Sequence, residues 1–330
     1  MIKRVIIDTD PGIDDAAAIF LALASPELSV EAITTVYGNG PVDLCADNAL
    51  RILDAAGRLD VPVYRGAGKP FLRDPSLTWA SPVHGSDALG NTNFPLPENT
   101  STLIRSRHAA LVIIDQIMAS PGEITMLALG RMTNIALALA LEPDLSQRVA
   151  EIILMGGAIS MPGNVSPVAS ANRYEDPEAA AILYSSGVPL VQVGMDVCDR
   201  VEVSQDQLDQ IRQADTPTTR LLAAATPCLQ SYYRDRGLLA DPSGVHYNDV
   251  PAVAYAIDST LFSTQDFYVT IETQSPLTRG QTVADRRNIS GNPTNARVCL
   301  EVDVSRLTAL FTERIVGYPI CHTKTYAVSG

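Results

Sequence analysis

The sequence predicts a doubly wound α/β fold, a mainly parallel sheet with helices on both faces, formed as one domain over residues 1–330. Three observations carry that prediction. Short β-branched runs alternate with longer Ala/Leu-rich runs, which is the order of a parallel sheet covered by crossover helices. The β-branched runs are continuously apolar, as strands buried on both faces are. No Gly/Ser linker, internal repeat or break in composition divides the chain.

In order, "RVIID" (4–8) reads as a first strand and the Ala/Leu run from Asp14 to Ala24 as its helix. "VEAITTVYG" (30–38) is a second strand, followed by "VDLCADNALRILDAAG" (42–57), whose apolar residues recur at helical spacing. "VPVYRG" follows, and "EITMLALG" (123–130) precedes the helical "TNIALALALE". "EIILMGG" (151–157), "DPEAAAILYSSG" (176–187) and "VPLVQVG" (188–194) complete the series as strand, helix and last strand. Two segments break the rhythm. Residues 66–102, rich in Pro, Asn and Ser and holding the single tryptophan Trp79, and residues 225–250, with "YYRDRG" and "HYND", read as long loops. Loops of that length are commonly lids or binding loops. The final third, with "TVADRRN", reads as a small, partly antiparallel appendage.

Composition narrows the function. Hydrophobic residues make up 46% and charged residues 18% of the chain, a globular balance. No apolar run approaches the ~20 residues of a membrane span. The start "MIKRVIID" meets an aspartate after three apolar residues, short of the roughly 7–15 of a secretory signal, so a cytoplasmic location is expected. A formal charge of −13 disfavours nucleic acid, which is bound through clustered Lys and Arg. The five cysteines (Cys45, Cys198, Cys228, Cys299, Cys321) never form a CxxC pair, which argues against a disulfide framework or a zinc site. "GNG" (38–40) and "MGGA" (155–158) lack phosphate-loop spacing and read as strand-end turns. No GxSxG elbow is present for serine catalysis.

The segment "DTDPGIDDAAAI" (8–19) places Asp8, Asp10, Asp14 and Asp15 within eight residues, where the first strand ends and the first helix begins. A helix N-terminus rewards an acid by roughly 0.3–1 kcal/mol, which explains one of the last two as a cap. It does not explain four. Clustered carboxylates raise one another's pKa unless a cation neutralises them, and a set of hard oxygen ligands suits Ca²⁺ or Mg²⁺. Further ligands are sought at other strand ends: Asn39, the chain at Leu129-Gly130, Asn164, Asn172 and Asp249. Converging Asp and Asn side chains with few cations also suit a polyhydroxylated ligand such as a sugar.

These residues carry a resemblance. "DTDPGIDDAAAI" is similar to the N-terminal signature of the inosine–uridine-preferring nucleoside hydrolases. "ITTVYGN", "HGSDALG", "LALGRMTNIALAL", "LMGGA", "GNVSPVASANRYEDPEAA", "DVPAVAYAID" and "TVADRRN" resemble later motifs in the family's order, over nearly the whole chain. The resemblance implies Ca²⁺-dependent hydrolysis of the N-glycosidic bond of a ribonucleoside by a homodimer or homotetramer. It implies a metal held by Asp10, Asp15, Asp249 and the backbone carbonyl of Leu129. It places Asp14, Asn39, Asn164 and Asn172 on the ribose hydroxyls, His84 in the pocket lining, and Asp10 as the general base. Physically, bond cleavage builds oxocarbenium character, a divalent ion fixes a water and vicinal hydroxyls, and a carboxylate takes the proton.

Two departures stand out. Ser170-Ala171 precede Asn172 where the family has Glu-Phe, so Ser170 faces the expected 5′-hydroxyl position, and Asn248 precedes Asp249 where many members have a histidine. An amide cannot protonate a departing base. His246, two residues earlier, is then either the replacement acid or an ordinary loop histidine, with Tyr233 another donor from the same loops. Two alternatives remain: a nucleoside- or sugar-binding protein with little turnover, and a Mg²⁺-dependent phosphohydrolase reading "DTD" as nucleophile and acid. The second wants a strand-end lysine that these acidic loops do not offer.

Overall fold

The structure, a computed structural model, describes residues 2–73 and 80–318; Trp79 and Cys321 lie outside them. Its strands are β1 (Lys3–Thr9), β2 (Leu28–Thr35), β3 (Val63–Arg65), β4 (Ile104–Arg105), β5 (Ile124–Ala128), β6 (Glu151–Met155), β7 (Leu190–Val193), β8 (Phe262–Phe267), β9 (Val269–Ile271), β10 (Thr282–Ala284) and β11 (Ala296–Val302). Nine form one sheet in the order β4-β3-β2-β1-β5-β6-β7-β11-β8, parallel except for β8 at one edge. The chain winds outward from β1 to β4, returns to lay β5 against the other side of β1, and winds out again. That reversal is a topological switch point, where open α/β sheets bind ligands beyond their carboxyl ends.

The double winding is visible within β1. Val5 and Ile7 pack into a cluster with the helices Ile13–Ala24, Val250–Ile257 and Val304–Val316. Ile6 points the other way, to a cluster with the helices Ala109–Ala119, Thr133–Leu141 and Pro177–Ser185. A strand whose successive residues alternate between two buried faces needs apolar residues at both.

Two expectations need correction. "VPLVQVG" is not the last parallel strand: β11 joins beside β7, and β8 then pairs with it antiparallel. β11 escaped the pattern because Arg297 and Glu301 are exposed within an otherwise apolar run. Residues 225–235 are not loop but the second half of a helix, Pro217–Asp235, that continues through Pro227. A proline forfeits one helical hydrogen bond and kinks rather than ends a helix when packing supports it, and here Leu221, Leu222, Ala225 and Leu229 are buried. The antiparallel appendage is present as the two-stranded β9–β10 ribbon. Among the described residues no helix is long and apolar enough to cross a membrane. Cys45, Cys198 and Cys299 are buried and free.

Candidate active site

The acids gather at the switch point. Asp8, the penultimate residue but one before the turn, pairs across the sheet with Thr34 and Ala128. Asp10 follows the end of β1, and Asp14 and Asp15 occupy the first turn of the helix Ile13–Ala24. Asp249 stands at the N-cap position of the helix Val250–Ile257 without a side-chain capping hydrogen bond. All five are buried. One carboxylate oxygen from each of Asp14, Asp15 and Asp249 lies within 4.8 Å of the others.

The acids are not equivalent. Asp15 is the best bonded, its Oδ2 accepting from the Gly12 amide at 2.8 Å and Asn39 Nδ2 at 3.0 Å, while Thr9 Oγ1 donates to Oδ1. It caps the helix and faces the cluster at once. Asp14 Oδ1 is buried with no partner. Its neighbour His84 stands 3.8 Å away through Nε2 and accepts from the Ile13 amide through Nδ1 at 3.3 Å. Burial, helped by Arg131, lowers the His84 pKa to about 3, so this contact joins a neutral imidazole and an acid and is not an ion pair. Asp8 is bonded by Thr34 Oγ1 at 2.6 Å and Asn134 Nδ2 at 2.8 Å, with Oδ2 left over. It ties β1 to β2 and to the helix after β5.

Electrostatically the cluster is expensive. Burial pushes Asp14 up to about 7, with Asp15 adding repulsion. Burial likewise raises Asp249 well above the carboxylate range, reinforced by Asp14, Asp15 and Asp10. Asp10 is raised by burial despite Arg131 beside it. Buried acids that repel one another, one with an orphaned oxygen, are what a divalent cation would relieve. The donor set is all oxygen and suits a hard ion. The residues present therefore fit a metal.

Asn39 sits between the acids, its amide nitrogen donating to Asp10 O at 3.0 Å as well as to Asp15. Asn172 donates to the Leu129 carbonyl at 2.6 Å and to the Met155 carbonyl at 3.3 Å, which joins two strand ends. The Leu129 carbonyl is thus at the site, facing Asn172. Asn164 is exposed and accepts from the Ala171 amide at 3.0 Å, outside the buried group. Ser170 is buried, and its Oγ accepts from the Gly157 amide at 2.7 Å.

The wall formed by residues 233–248 holds a second set. Asn248 Nδ2 donates to Tyr233 Oη at 2.8 Å. Burial raises the Tyr233 phenol well above its ordinary pKa, with repulsion from Asp14 adding to it, so the phenol stays protonated. His246 packs edge-on against Tyr233 with centroids 5.3 Å apart. Its ring nitrogens are turned to backbone carbonyls, Nδ1 to Val201 at 2.8 Å and Nε2 to Leu238 at 3.3 Å. The geometry does not present His246 to a leaving group.

Sequence reasoning missed Arg131 and Glu175. Arg131 is buried and donates from Nη1 to Asp10 Oδ2 and from Nε to Glu175 Oε2 at 2.7 Å. Burial opposes its charge, but Glu175 and Asp10 outweigh that and hold its pKa above the ordinary value. A signal existed for Arg131, a single charge within the largely apolar "LALGRMTN", since such charges are rarely buried unless paired; Glu175 lies among other charges in "ANRYEDPEAA" and carries no such signal.

Comparison with known proteins gives the family and the fold. The family model described as inosine-uridine preferring nucleoside hydrolase matches residues 5–309. The chain is 37% identical over 322 residues to a probable uridine nucleosidase 2 of Arabidopsis thaliana, covering 95% of this chain and 98% of that one. It is 37% identical over 328 residues to the pyrimidine-specific ribonucleoside hydrolase RihA of Shewanella sp. (strain MR-4), covering 99% of each. Among solved structures, the plant nucleoside hydrolase PpNRh1 superposes with a TM-score of 0.87 at 35% identity, covering 95% of this chain and 99% of that one. A purine-preferring ribonucleoside hydrolase from Gardnerella vaginalis gives 0.88 at 32% identity, covering 96% and 99%.

Proposed function

The chain belongs to the inosine–uridine preferring nucleoside hydrolase family, and from that premise we propose that it is a Ca²⁺-dependent ribonucleoside hydrolase releasing ribose and free base. The observation that supports this most is the convergence of Asp14, Asp15 and Asp249 within 4.8 Å, beside Asp10, at the switch point of the sheet. Asp10, Asp15 and Asp249, with the Leu129 carbonyl, are the proposed ligands; Asp14 stands close enough to share that role. Held there by these residues, a divalent ion would supply the positive charge that lowers the pKa of an attacking water.

The remaining chemistry belongs to side chains. Asp10 is the proposed base, its Oδ2 tied by Arg131 and by the Asn39 amide at 2.8 Å, so that Oδ1 is the oxygen left to take the water's proton. Asp14, with its unpartnered Oδ1, Asn39 and Asn172 are proposed to hold the ribose hydroxyls. Asn164 is proposed to reach them from the loop, and neutral His84 to line the pocket. The fixed negative charge suits the cationic sugar of the transition state. The 37%-identical relatives carry uridine and pyrimidine names, so pyrimidine ribonucleosides are the proposed first substrates. A cytoplasmic homodimer or homotetramer working as a single domain completes the proposal.

One observation favours a second reading, a nucleoside-binding protein with little turnover: Arg131 occupies one oxygen of the proposed base. A panel of purine and pyrimidine ribonucleosides assayed for free ribose decides between them. Ribose released with Ca²⁺ present is the expected result; tight binding without ribose release would leave only the binding reading.

A further inference from the structure

We infer that Arg131 is a positioning residue for Asp10, clamped by Glu175 so that it ties one oxygen of that carboxylate and leaves the other to the cluster. The inference rests on the reading of Asp10 as base. Arg131 follows Leu129-Gly130 at the end of β5, across the switch point from β1, and is 2% exposed. Two different nitrogens of its guanidinium engage two different acids, Nη1 to Asp10 and Nε to Glu175. A planar fork holds that division; a lysine ammonium is one point of charge and cannot.

The surroundings are cut to this arrangement. At Gly38 an added Cβ would stand 2.1 Å from Asp10 Oδ2 and 2.3 Å from Arg131 Nη1. At Gly130 it would stand 2.4 Å from Asp10 Oδ1. Bare backbone is therefore pressed on the pair from both sides, and a side chain at either glycine would displace it. The Asn39 amide adds a second donor to Oδ2, while no hydrogen bond among the described residues ends on Oδ1. Glu175 lies three residues after Asn172, at the end of the short helix Ala171–Tyr174. The clamp thus joins the floor that carries Asp10 to the turn that carries a proposed ribose contact.

A buried bridge with a purely structural role needs only Arg131 and Glu175. Its third member is residue 10, and an unclamped carboxylate there would sample rotamers in which Oδ1 leaves the water. Misplacement by about 1 Å of a reacting group costs on the order of 10²-fold in rate.

The test uses full-length Arg131→Met, Arg131→Lys, Glu175→Gln and Asp10→Asn with the best substrate of the panel. Arg131→Met is expected to lower kcat about 10²-fold with KM within threefold, and its crystal structure to show Asp10 in more than one rotamer. Arg131→Lys should recover about tenfold of that loss. Glu175→Gln, which keeps an acceptor oxygen, should lower kcat three- to tenfold at unchanged KM. A kcat within threefold of wild type for Arg131→Met, or a loss carried wholly by KM, overturns the inference. Should Arg131→Met fail to fold, Glu175→Gln decides alone, and an unchanged kcat there overturns it. Asp10→Asn separates the two levels. If it turns over like wild type the base assignment fails; if it is inactive while the Arg131 variants match wild type, the positioning inference alone fails.

Discussion

The two walls of the site spend their polar groups differently. On the floor between β1 and the helix Ile13–Ala24, carboxylates crowd one another, and Asp14 keeps an oxygen with no partner. On the wall of residues 233–248 the groups are neutral and partly occupied by their own protein: His246 by two carbonyls and the Asn248 side-chain nitrogen by Tyr233, while Asn248 Oδ1 is buried with no partner. Ser170, on a third element, is likewise spent on the Gly157 amide. The floor is frustrated until something positive arrives, whereas the wall keeps only neutral capacity, the Asn248 side-chain oxygen and the Tyr233 hydroxyl proton. A site whose strain is concentrated on one side is pre-organised there for ligand charge, and leaves the side facing the base dependent on the few donors still free.

The floor offers the largest effects. Asp10→Asn removes the proposed base and one charge of the cluster, so kcat should fall at least ~10³-fold, within the range for loss of a positioned base, while substrate affinity measured by calorimetry changes little. Near-native turnover would move the base elsewhere. Stripping divalent metal with a chelator should abolish turnover, and adding Ca²⁺ should restore it. Stability should follow the same switch: at a cation concentration 100 times Kd, the native state gains about 2.7 kcal/mol, read as a rise in Tm. A chelated protein with unchanged Tm and activity would show that the acids hold no ion.

The wall should respond less, and unequally. Tyr233 accepts from Asn248, which leaves its own proton free to donate, and its raised pKa keeps that proton in place. Tyr233→Phe should therefore lower kcat by roughly 10-fold for substrates whose base leaves as an anion, the loss of one hydrogen bond to a charged group. His246→Ala should leave the pH–rate profile unchanged and instead cost stability, about 1–3 kcal/mol for stranding buried carbonyls. An acidic limb lost from the profile of His246→Ala would reverse the two roles and return the histidine to catalysis.

How much of this was legible in sequence follows from range. The strands β1, β2, β5, β6 and β7 announce themselves because burial on both faces demands unbroken apolar runs. Asp8 to Asp15 announce themselves because four acids in eight residues have no cheaper explanation. β11 is quieter, since its exposed Arg297 and Glu301 dilute the apolar signal. The helix Pro217–Asp235 is hidden by Pro227, whose cost is met by packing that only the fold reveals. The clamp of Asp10, Arg131 and Glu175 spans 165 positions and has no local pattern at all. Orientation is the least legible property: His246 and Ser170 both lie beside the site, yet their polar atoms are turned to the backbone.

The smallest expected effect concerns Ser170. A serine at this position is shorter than a glutamate and carries no charge, and here its hydroxyl oxygen already accepts from the Gly157 amide at 2.7 Å. Its remaining capacity is one proton to donate and one lone pair to accept with, at a residue that is only 1% exposed. A ribose 5′-hydroxyl would meet at most that single neutral hydroxyl, worth about 0.5–1.5 kcal/mol. A 5′-deoxyribonucleoside should therefore lose less than about tenfold in kcat/KM against its parent, and Ser170→Ala should erase most of that difference while loosening the turn at Gly157. A loss on the order of 2–3 kcal/mol on removing the 5′-hydroxyl, unchanged in Ser170→Ala, would show that another residue reaches that hydroxyl. The third element would then resemble the floor, with a polar group held open for the substrate.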